Sequence, residues 1–316
     1  MNHRRVLGKV KVAALAFFAA LAWAGAAERP LAIVTSFYPI YIHTLNVAGG
    51  VPGVTVTNLT APTTGCLHDY QLRPAEMKTL MTADLLVVNG AGMEAFLAKA
   101  IQRHPTLPVI DASAGCDLLR GEGHDGHGHD HAEDEGHGHG HGAHAAAAPN
   151  PHVWVGVSGA IRQVRTIAEG LAKADPGRAE RYRANAATYV GKLEALKARM
   201  HAALDGLPNR RIVTFHEAFP YFAQEFGLTI AAVVQREPGS EPNARELAET
   251  IMRVKAAGIR AIFVEPQYPD KAARAIARET GAAVHVLDPA VTGPLTADAY
   301  LRIMERNLEV LKAALR

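Results

Sequence analysis

The middle of the chain is a long helical segment, which reads DPGRAERYRANAATYVGKLEALKARMHAAL from Asp175 to Leu204. Proline is disfavoured inside a helix but suits its first turn. The pattern therefore predicts one helix that starts near Ala160 and ends before Pro176, and a second that runs from Pro176 to about Leu204. At 1.5 Å per residue the second helix is on the order of 40 Å long. It is long enough to run the length of a domain and to connect two lobes.

Short β-like runs alternate with helical stretches on both sides of this segment. The predicted strands are Leu31–Thr35, Val54–Thr60, Leu85–Asn89 and Pro108–Asp111 before it, and Arg211–Phe215, Thr229–Val234, Ala261–Val264 and Ala283–Leu287 after it. The other predicted helices are Tyr38–Ala48, Ala75–Met81, Met93–Arg103, Phe219–Phe226, Ala244–Ala256, Asp270–Arg278 and Ala297–Leu315. This alternation is typical of a parallel sheet covered by helices. The predicted fold class is α/β, with two similar parallel-sheet lobes joined by one long rigid helix.

The length of 316 residues also favours two domains, and a hydrophobic content of 48% is enough to fill two cores. We place the first lobe at residues 27–158, the linking helical segment at 159–207 and the second lobe at 208–316. The 33 basic residues nearly balance the 31 acidic ones. This balance argues against a nucleic-acid-binding surface, which needs a strong basic excess.

Residues 1–26 have the pattern of an export signal. Basic residues precede an uncharged apolar run at Val12–Ala22, and small residues follow at Ala24–Ala26. A transmembrane anchor is the alternative, but the run is shorter than the roughly 20 apolar residues that a spanning helix needs. We therefore expect cleavage near Ala26. A lipid anchor is not expected, because no cysteine lies at the cleavage site.

The chain has two cysteines, Cys66 and Cys116. In an exported protein an even pair favours a disulfide, and we expect one here with a structural role. Two buried free thiols are the alternative. Zinc-binding thiolates are a weaker third interpretation, since no CxxC spacing occurs.

A histidine-rich stretch at residues 121–148 interrupts the first half of the chain. Its histidines are His124, His127, His129, His131, His137, His139, His141 and His144. Because the stretch cannot bury an apolar face, we expect a disordered loop. Flexible histidines offer loose metal sites that lose entropy on binding, so they should bind more weakly than an ordered site. A solvated linker with no part in binding is the alternative.

Four short motifs stand at strand ends or in the loops that follow strands. They are CLHDYQLRP at Cys66–Pro74, NPHVW at Asn150–Trp154, TFHEAF at Thr214–Phe219 and LDP at Leu287–Pro289. In open parallel sheets, ligands bind outside the carboxyl ends of the strands. Two motifs lie in each half of the chain, so lobes that face each other would bring all four into one cleft.

Each motif offers one metal-binding side chain: His68, His152, His216 and Asp288. Three imidazoles and a carboxylate suit zinc, which accepts nitrogen and oxygen and prefers about four ligands. Manganese and magnesium favour more oxygen. Each residue alone has a plainer interpretation, because lone strand-end histidines are usually hydrogen-bonded and Asp-Pro is a common turn signal. All four together are much more specific.

With these motifs in this order, and with VEPQY at Val264–Tyr268, the chain resembles the metal-specific periplasmic binding proteins of zinc and manganese ABC importers. Tyr182 and Asn185, after Asp-Pro on the long helix, also resemble that family. The similarity is greatest to the zinc-uptake branch and covers essentially the whole mature chain. It implies two α/β lobes joined by a rigid helix, with one metal ion between them.

The resemblance assigns the metal ligands to His68, His152, His216 and Asp288. Manganese-binding members typically carry glutamate where this chain has His216, so the residue favours zinc, with a manganese receptor as the alternative. The family implies a high-affinity receptor in the periplasm, monomeric and not an enzyme, that delivers transported Zn²⁺ to a membrane permease and its ATPase. The histidine-rich stretch also resembles the zinc branch, where it is thought to gather metal or regulate uptake.

The sequence offers alternatives to Asp288 as the fourth ligand. Some zinc-binding members bring an acidic residue near the first histidine, where this chain has Leu67 preceded by Cys66. A Cys66 thiolate or a water molecule could replace Asp288. Three nearby carboxylates could accept a hydrogen bond from the second ring nitrogen of a metal-bound histidine, or be plain surface or turn residues. They are Asp69, Glu217 and Glu265.

Two other functional classes are compared with the receptor: a zinc-dependent hydrolase and an adhesin. A catalytic zinc keeps a position open for water, with a base nearby. No HExxH occurs in the chain, and the candidate ligands come one per loop from two lobes, so a hydrolase is disfavoured. Adhesins of related families share the fold, and a cell-surface lipid anchor would favour that class.

Overall fold

The structure is a computed structural model that describes residues 30–67, 70–121, 148–234 and 242–316. Leu31–Arg316 pack as one compact unit. Several sequence expectations lie outside the described residues: the export signal at 1–26, His68, Asp69 and all eight histidines of the histidine-rich stretch.

The first lobe is built on a four-stranded parallel sheet in the order β2-β1-β3-β4. Its strands are β1 Leu31–Thr35, β2 Val54–Asn58, β3 Leu85–Val88 and β4 Val109–Asp111. Its helices are α1 Tyr38–Ala48, α2 Pro74–Met81 and α3 Ala98–Gln102. All four residues of β3, two leucines and two valines, are buried, as expected for a central strand covered on both faces.

The second lobe repeats this arrangement, with a parallel sheet in the order β6-β5-β7-β8. Its strands are β5 Arg211–Thr214, β6 Thr229–Val233, β7 Ala261–Val264 and β8 Ala283–Val286. Its helices are α6 Pro220–Glu225, α7 Ala244–Ala256, α8 Lys271–Thr280 and α9 Ala299–Ala314. The central neighbours β5 and β7 pair Thr214 with Phe263, so the residues that follow them meet at one edge of the sheet.

Two helices connect the lobes, α4 at Val157–Ala174 and α5 at Ala179–Leu204. A short 3₁₀ turn, Pro176–Arg178, separates them where the proline predicted a break. The 26 residues of α5 give it a length of about 39 Å. Its first turns are tied to the turn before it and to the first lobe, since the Tyr182 hydroxyl donates to Asp175 and the Asn185 amide donates to the Val47 carbonyl.

One hydrophobic core runs through both lobes and both connecting helices. It contains buried residues from Ile33 on β1 to Leu315 beyond α9, with Trp154 and Tyr300 fully buried among them. The two lobes are therefore packed against each other over a shared interior. This architecture confirms the expected α/β fold of two parallel-sheet lobes and a long helix.

Two sequence expectations need correction. The helix expected over Met93–Arg103 is a 3₁₀ turn, Ala95–Leu97, followed by the short α3. The reason is local, because the Glu94 carboxylate folds back to accept the amides of Asn89 and Gly90 at 2.6 and 3.0 Å. The helix before Pro176 also starts three residues earlier than expected.

The disulfide expected between Cys66 and Cys116 is not formed, since both are free thiols. The Cys66 thiol faces His152, whereas the Cys116 thiol lies against the carbonyl of Ala112. Within the described ranges, no helix is both long and apolar enough to cross a lipid bilayer.

Candidate metal centre

His152 is held in a fixed orientation by Asn150, two residues before it. It begins a short 3₁₀ turn, Val153–Val155, and is 2% exposed. Asn150 Oδ1 lies 3.0 Å from both the backbone nitrogen and Nδ1 of His152. An amide oxygen only accepts, so Nδ1 carries the proton and Nε2 presents its lone pair to the cleft. The local sequence thus supplies an imidazole of fixed orientation.

The same asparagine also joins the two lobes. Its Nδ2 donates to the carbonyl of Glu217 at 3.1 Å, and its own carbonyl accepts from the Tyr221 hydroxyl at 2.7 Å. Glu217 and Tyr221 both belong to the segment that follows β5. The loop that carries His152 is therefore fixed to the loop that carries His216.

His216 lies just beyond the carboxyl end of β5 and is 2% exposed. Its ring centroid is 5.0 Å from that of His152. Its Nδ1 lies 3.4 Å from Oε1 of Glu265, which follows the neighbouring strand β7. A metal-binding histidine commonly turns its second nitrogen toward a carboxylate, and this geometry leaves Nε2 for a metal.

Glu265 is a buried acid whose charge has little local compensation. It is 1% exposed, and neither of its carboxylate oxygens accepts a hydrogen bond from the described residues. A buried carboxylate without such partners is unfavourable unless a positive charge lies close by. The centre is therefore suited to a cation.

Cys66 brings a sulfur atom to the same point from the first lobe. Its Sγ lies 3.6 Å from Nε2 of His152. Burial, and then the negative charge of Glu265, raise the pKa of the thiol well above its ordinary value. Tyr268 of the second lobe reaches across the cleft and places its phenolic oxygen beside the backbone of Gly65 and Cys66.

Three donors form a compact group in the part of the chain that the structure describes. The ligand atoms of Cys66, His152 and His216 all lie within 4.8 Å of one another. The structure thus brings together two of the four ligands assigned from the sequence. His68 lies outside the described residues, and Asp288 does not belong to this group.

Asp288 follows β8 and is held by its own hydrogen bonds. Its Oδ1 accepts from the backbone of Ala290 at 2.8 Å and faces Gln267 Nε2 at 3.5 Å. The Asn307 side chain brackets its backbone, accepting from its N–H at 3.0 Å and donating to its carbonyl at 2.7 Å. Burial raises the pKa of the carboxyl, with Glu265 adding to the rise and Ala290 and Gln267 opposing it.

The turn after Asp288 is tied to the loop of His152. Trp154 Nε1 donates to the carbonyl of Pro289 at 2.7 Å, and the Tyr300 hydroxyl donates to the carbonyl of Trp154 at 2.7 Å. These hydrogen bonds are buried, so they set the spacing of the lobes around the centre.

Sequence reasoning did not assign two residues of this centre. Asn150 was part of the NPHVW motif, but its role as the acceptor for His152 Nδ1 was not foreseen. The signal was available, because an Asx-Pro step favours a turn in which the side chain bonds to its own backbone two residues on. Tyr268 closes the cleft over Cys66, a contact between lobes that no local pattern encodes.

The chain matches, over residues 33–314, the family model described as zinc-uptake complex component A, periplasmic. The chain belongs to this family. One relative is the zinc-binding protein AdcA of Streptococcus pyogenes serotype M3. It is 31% identical over 293 residues, which cover 90% of this chain. The chain covers 56% of that relative, a little over half its length.

Two further matches each cover about nine-tenths of this chain. The high-affinity zinc uptake system protein ZnuA of Bacillus subtilis is 31% identical over 296 residues, covering 90% of this chain and 88% of that protein. The solved structure of the solute-binding protein FpvC from Pseudomonas aeruginosa, in complex with Mn²⁺, has a TM-score of 0.79 at 32% identity. It covers 91% of this chain and 99% of FpvC.

Proposed function

We propose that this protein is a periplasmic receptor that binds one Zn²⁺ ion with high affinity between its lobes and delivers it to the permease of an ABC importer. One observation carries the proposal. Cys66, His152 and His216 place their ligand atoms within 4.8 Å of one another, beside the buried carboxylate of Glu265.

His68 joins His152 and His216 as a ligand in this proposal. Two residues of extended chain span at most about 7 Å, and Cys66, two positions earlier, already touches His152. Position 68 is therefore within reach of the centre. Asp288 is the carboxylate that the sequence offers as a fourth ligand, and its Oδ1 is engaged by Ala290.

Zinc fits this donor set better than manganese. Imidazole nitrogen and sulfur are borderline or soft donors that suit zinc, whereas manganese prefers carboxylate, carbonyl and water oxygen. The relatives named zinc-binding or zinc-uptake proteins support the same metal. A manganese receptor is the second candidate, favoured by the Mn²⁺ complex of FpvC.

Capture and release of the ion, rather than catalysis, is the proposed activity. The described donors come from loops of both lobes, His152 before the long helix and His216 after it, which suits an ion held between two packed bodies. The partners are the permease and the associated ATPase. The receptor itself acts as a monomer with no hydrolytic activity.

The remaining parts of the chain take supporting roles in this proposal. Residues 1–26 direct export and are removed near Ala26. The first lobe spans 27–158, the linking segment 159–207 and the second lobe 208–316. The histidine-rich stretch binds metal weakly beside the main site.

A zinc titration of metal-stripped protein, in competition with a chelator and with manganese as rival, tests the proposal. Residues 122–147 are deleted so that the loop histidines do not contribute. The deletion is practical because Gly121 N donates to the carbonyl of Ala148 at 2.8 Å, which brings the two ends together. We expect one tight zinc equivalent that excess manganese does not displace.

The matched substitutions are His216→Ala and His201→Ala. His201 pairs with Asp205 near the end of α5 and does not belong to the donor group. His216→Ala should abolish tight binding and His201→Ala should leave it unchanged. Loss of tight binding on deletion alone would place the main site in the histidine-rich stretch, and preference for manganese would overturn the metal.

A further inference from the structure

The centre contains a sulfur donor beside its histidines. We propose that Cys66 supplies the fourth ligand as a thiolate, in place of Asp288, and that it biases the site toward softer divalent cations. This inference deepens the proposed zinc site and depends on it. It concerns one residue that the ligand assignment of the family does not include.

The position of the thiol fits a shared metal. Zinc lies about 2.3 Å from a thiolate sulfur and about 2.0–2.1 Å from an imidazole nitrogen. At a tetrahedral angle these bond lengths put the two donors about 3.6 Å apart. Cys66 Sγ and His152 Nε2 are 3.6 Å apart. His216 completes a group in which every pair of ligand atoms lies within 4.8 Å.

Cys66 is held at this point from both lobes. The preceding Gly65 has φ +81°, a conformation that glycine adopts readily. The phenolic oxygen of Tyr268, from the second lobe, lies beside the backbone of Gly65 and Cys66. The thiol therefore faces the cleft from a turn that Tyr268 of the opposite lobe contacts.

Asp288 is less suited to the fourth position. Its Oδ1 is committed to Ala290 N at 2.8 Å and faces Gln267. Its carboxylate also lies outside the compact donor group found among the described residues. Asp288 would therefore bind a metal with one of its oxygens already engaged, whereas Cys66 Sγ lies 3.6 Å from Nε2 of His152.

The binding step exchanges a proton for the metal. The S–H bond of Cys66 is replaced by an S–metal bond, the proton leaves to solvent, and no electron is transferred. Since thiolates prefer zinc and other soft cations to manganese, this exchange should separate the two metals more strongly than histidines alone.

Cobalt serves as the spectroscopic probe, because a thiolate bound to Co²⁺ gives an intense charge-transfer band in the near ultraviolet. The test uses the metal-stripped protein with Cys116→Ser, in which Cys66 is the only cysteine. We expect the band to grow to saturation at one equivalent of Co²⁺. Since Cys116 lies against Ala112 and outside the donor group, its removal should leave zinc binding unchanged.

Adding Cys66→Ser to this background should remove the band and keep the weaker visible bands of bound Co²⁺. Zinc affinity should fall at least about tenfold while manganese affinity stays the same. A saturating single Co²⁺ site without the band in the Cys116→Ser protein would overturn the inference, and this result does not depend on how the double variant folds. Persistence of the band after Cys66→Ser would also overturn it. Absence of tight zinc binding in the unmodified protein would instead overturn the receptor proposal.

Discussion

Asn150 Oδ1 lies 3.0 Å from Nδ1 of His152 and 3.0 Å from the backbone nitrogen of the same residue. The two contacts fix both the rotation of the imidazole and the nitrogen that carries its proton. Since the amide of Asn150 also donates to the Glu217 carbonyl, the orientation of His152 depends on the second lobe. The orientation of an imidazole in the first half of the chain is thus set by contacts with the second half.

Asn150→Ala should lower zinc affinity about 10- to 100-fold, the cost commonly seen when the partner of a metal-binding histidine is removed. Competition with a chelator measures this change. Asn209→Ala is the control, because Asn209 bonds to the carbonyl of Arg316 and not to the centre. Equal affinities for the Asn150 variant and the unmodified protein would show that the hydrogen bond does not position the ligand.

Glu265→Gln should lower the affinity for zinc without lowering the stability of the metal-free protein. The substitution removes a buried charge that lacks hydrogen-bond donors among the described residues, so the metal-free protein should unfold at the same temperature or higher. Zinc affinity should fall about 10- to 100-fold because the cation loses its nearby negative charge. Thermal unfolding and metal competition measure the two effects. The exposed Glu279→Gln on α8 is the control, and a clear loss of metal-free stability would contradict the interpretation.

His43 should make the metal-free protein less stable in acid. It is fully buried on α1, with neither ring nitrogen bonded to the described residues, and burial lowers its pKa to about 3. Below its ordinary pKa of about 6.5 the unfolded chain binds a proton that the folded state refuses. Stability is therefore retained above pH 6.5 and lost as the pH falls toward 3, by about 2 kcal/mol at pH 5.

Urea unfolding at pH 8 and pH 5 measures how much of the acid-induced loss of stability comes from His43. His43→Phe, which keeps a ring beside Tyr300, should reduce the loss between the two pH values by about 2 kcal/mol. His201→Gln, a surface substitution on α5, should keep the full pH dependence. The same loss in the His43 variant as in the unmodified protein would assign the acid sensitivity to other groups.

Trp154→Phe should weaken the contact between the lobes. The change removes the donor that bonds to the Pro289 carbonyl at 2.7 Å and leaves a buried acceptor behind. The free energy of unfolding should fall by about 1–3 kcal/mol, measured by urea denaturation. Tyr221→Phe is a useful comparison, since it removes a different bond between lobes, to the Asn150 carbonyl. No loss in either variant would mean that the shared core alone holds the lobes.

Zinc binding should produce little change in overall shape. The long helix α5, the shared core and the bonds of Trp154 and Tyr300 all resist a hinge motion. Small-angle scattering of metal-free and zinc-bound protein should therefore give nearly superimposable curves. A large decrease in the radius of gyration would contradict this expectation.

Local pattern was enough to predict most of the framework. β1, α1, α7 and β7 have the bounds that the sequence indicated, because buried strands and amphipathic helices leave a strong periodic signal. Pro176 marked the break between the connecting helices for a steric reason that is independent of context. The prediction of a helix over Met93–Arg103 was wrong because the Glu94 carboxylate accepts hydrogen bonds from the amides of Asn89 and Gly90, which replace the start of a regular helix.

The centre was only partly predictable. Parallel sheets bring strand ends to one edge, so His152 and His216 could be expected to converge. The separate environments of the two free cysteines could not be predicted, because the disulfide expectation used only their number and the expected redox compartment. Whether a thiol faces another thiol or an imidazole depends on packing between lobes, which local sequence does not encode.

The order of the strands along the chain has a consequence for the timing of metal capture. Each sheet is built from consecutive strands, the first complete by Asp111 and the second begun only at Arg211. A chain with only its first half folded holds Cys66 and His152 but neither His216 nor Glu265. The cleft therefore comes into existence only when both halves have docked. The compartment in which docking finishes decides which pool of metal ions the newly made protein meets first.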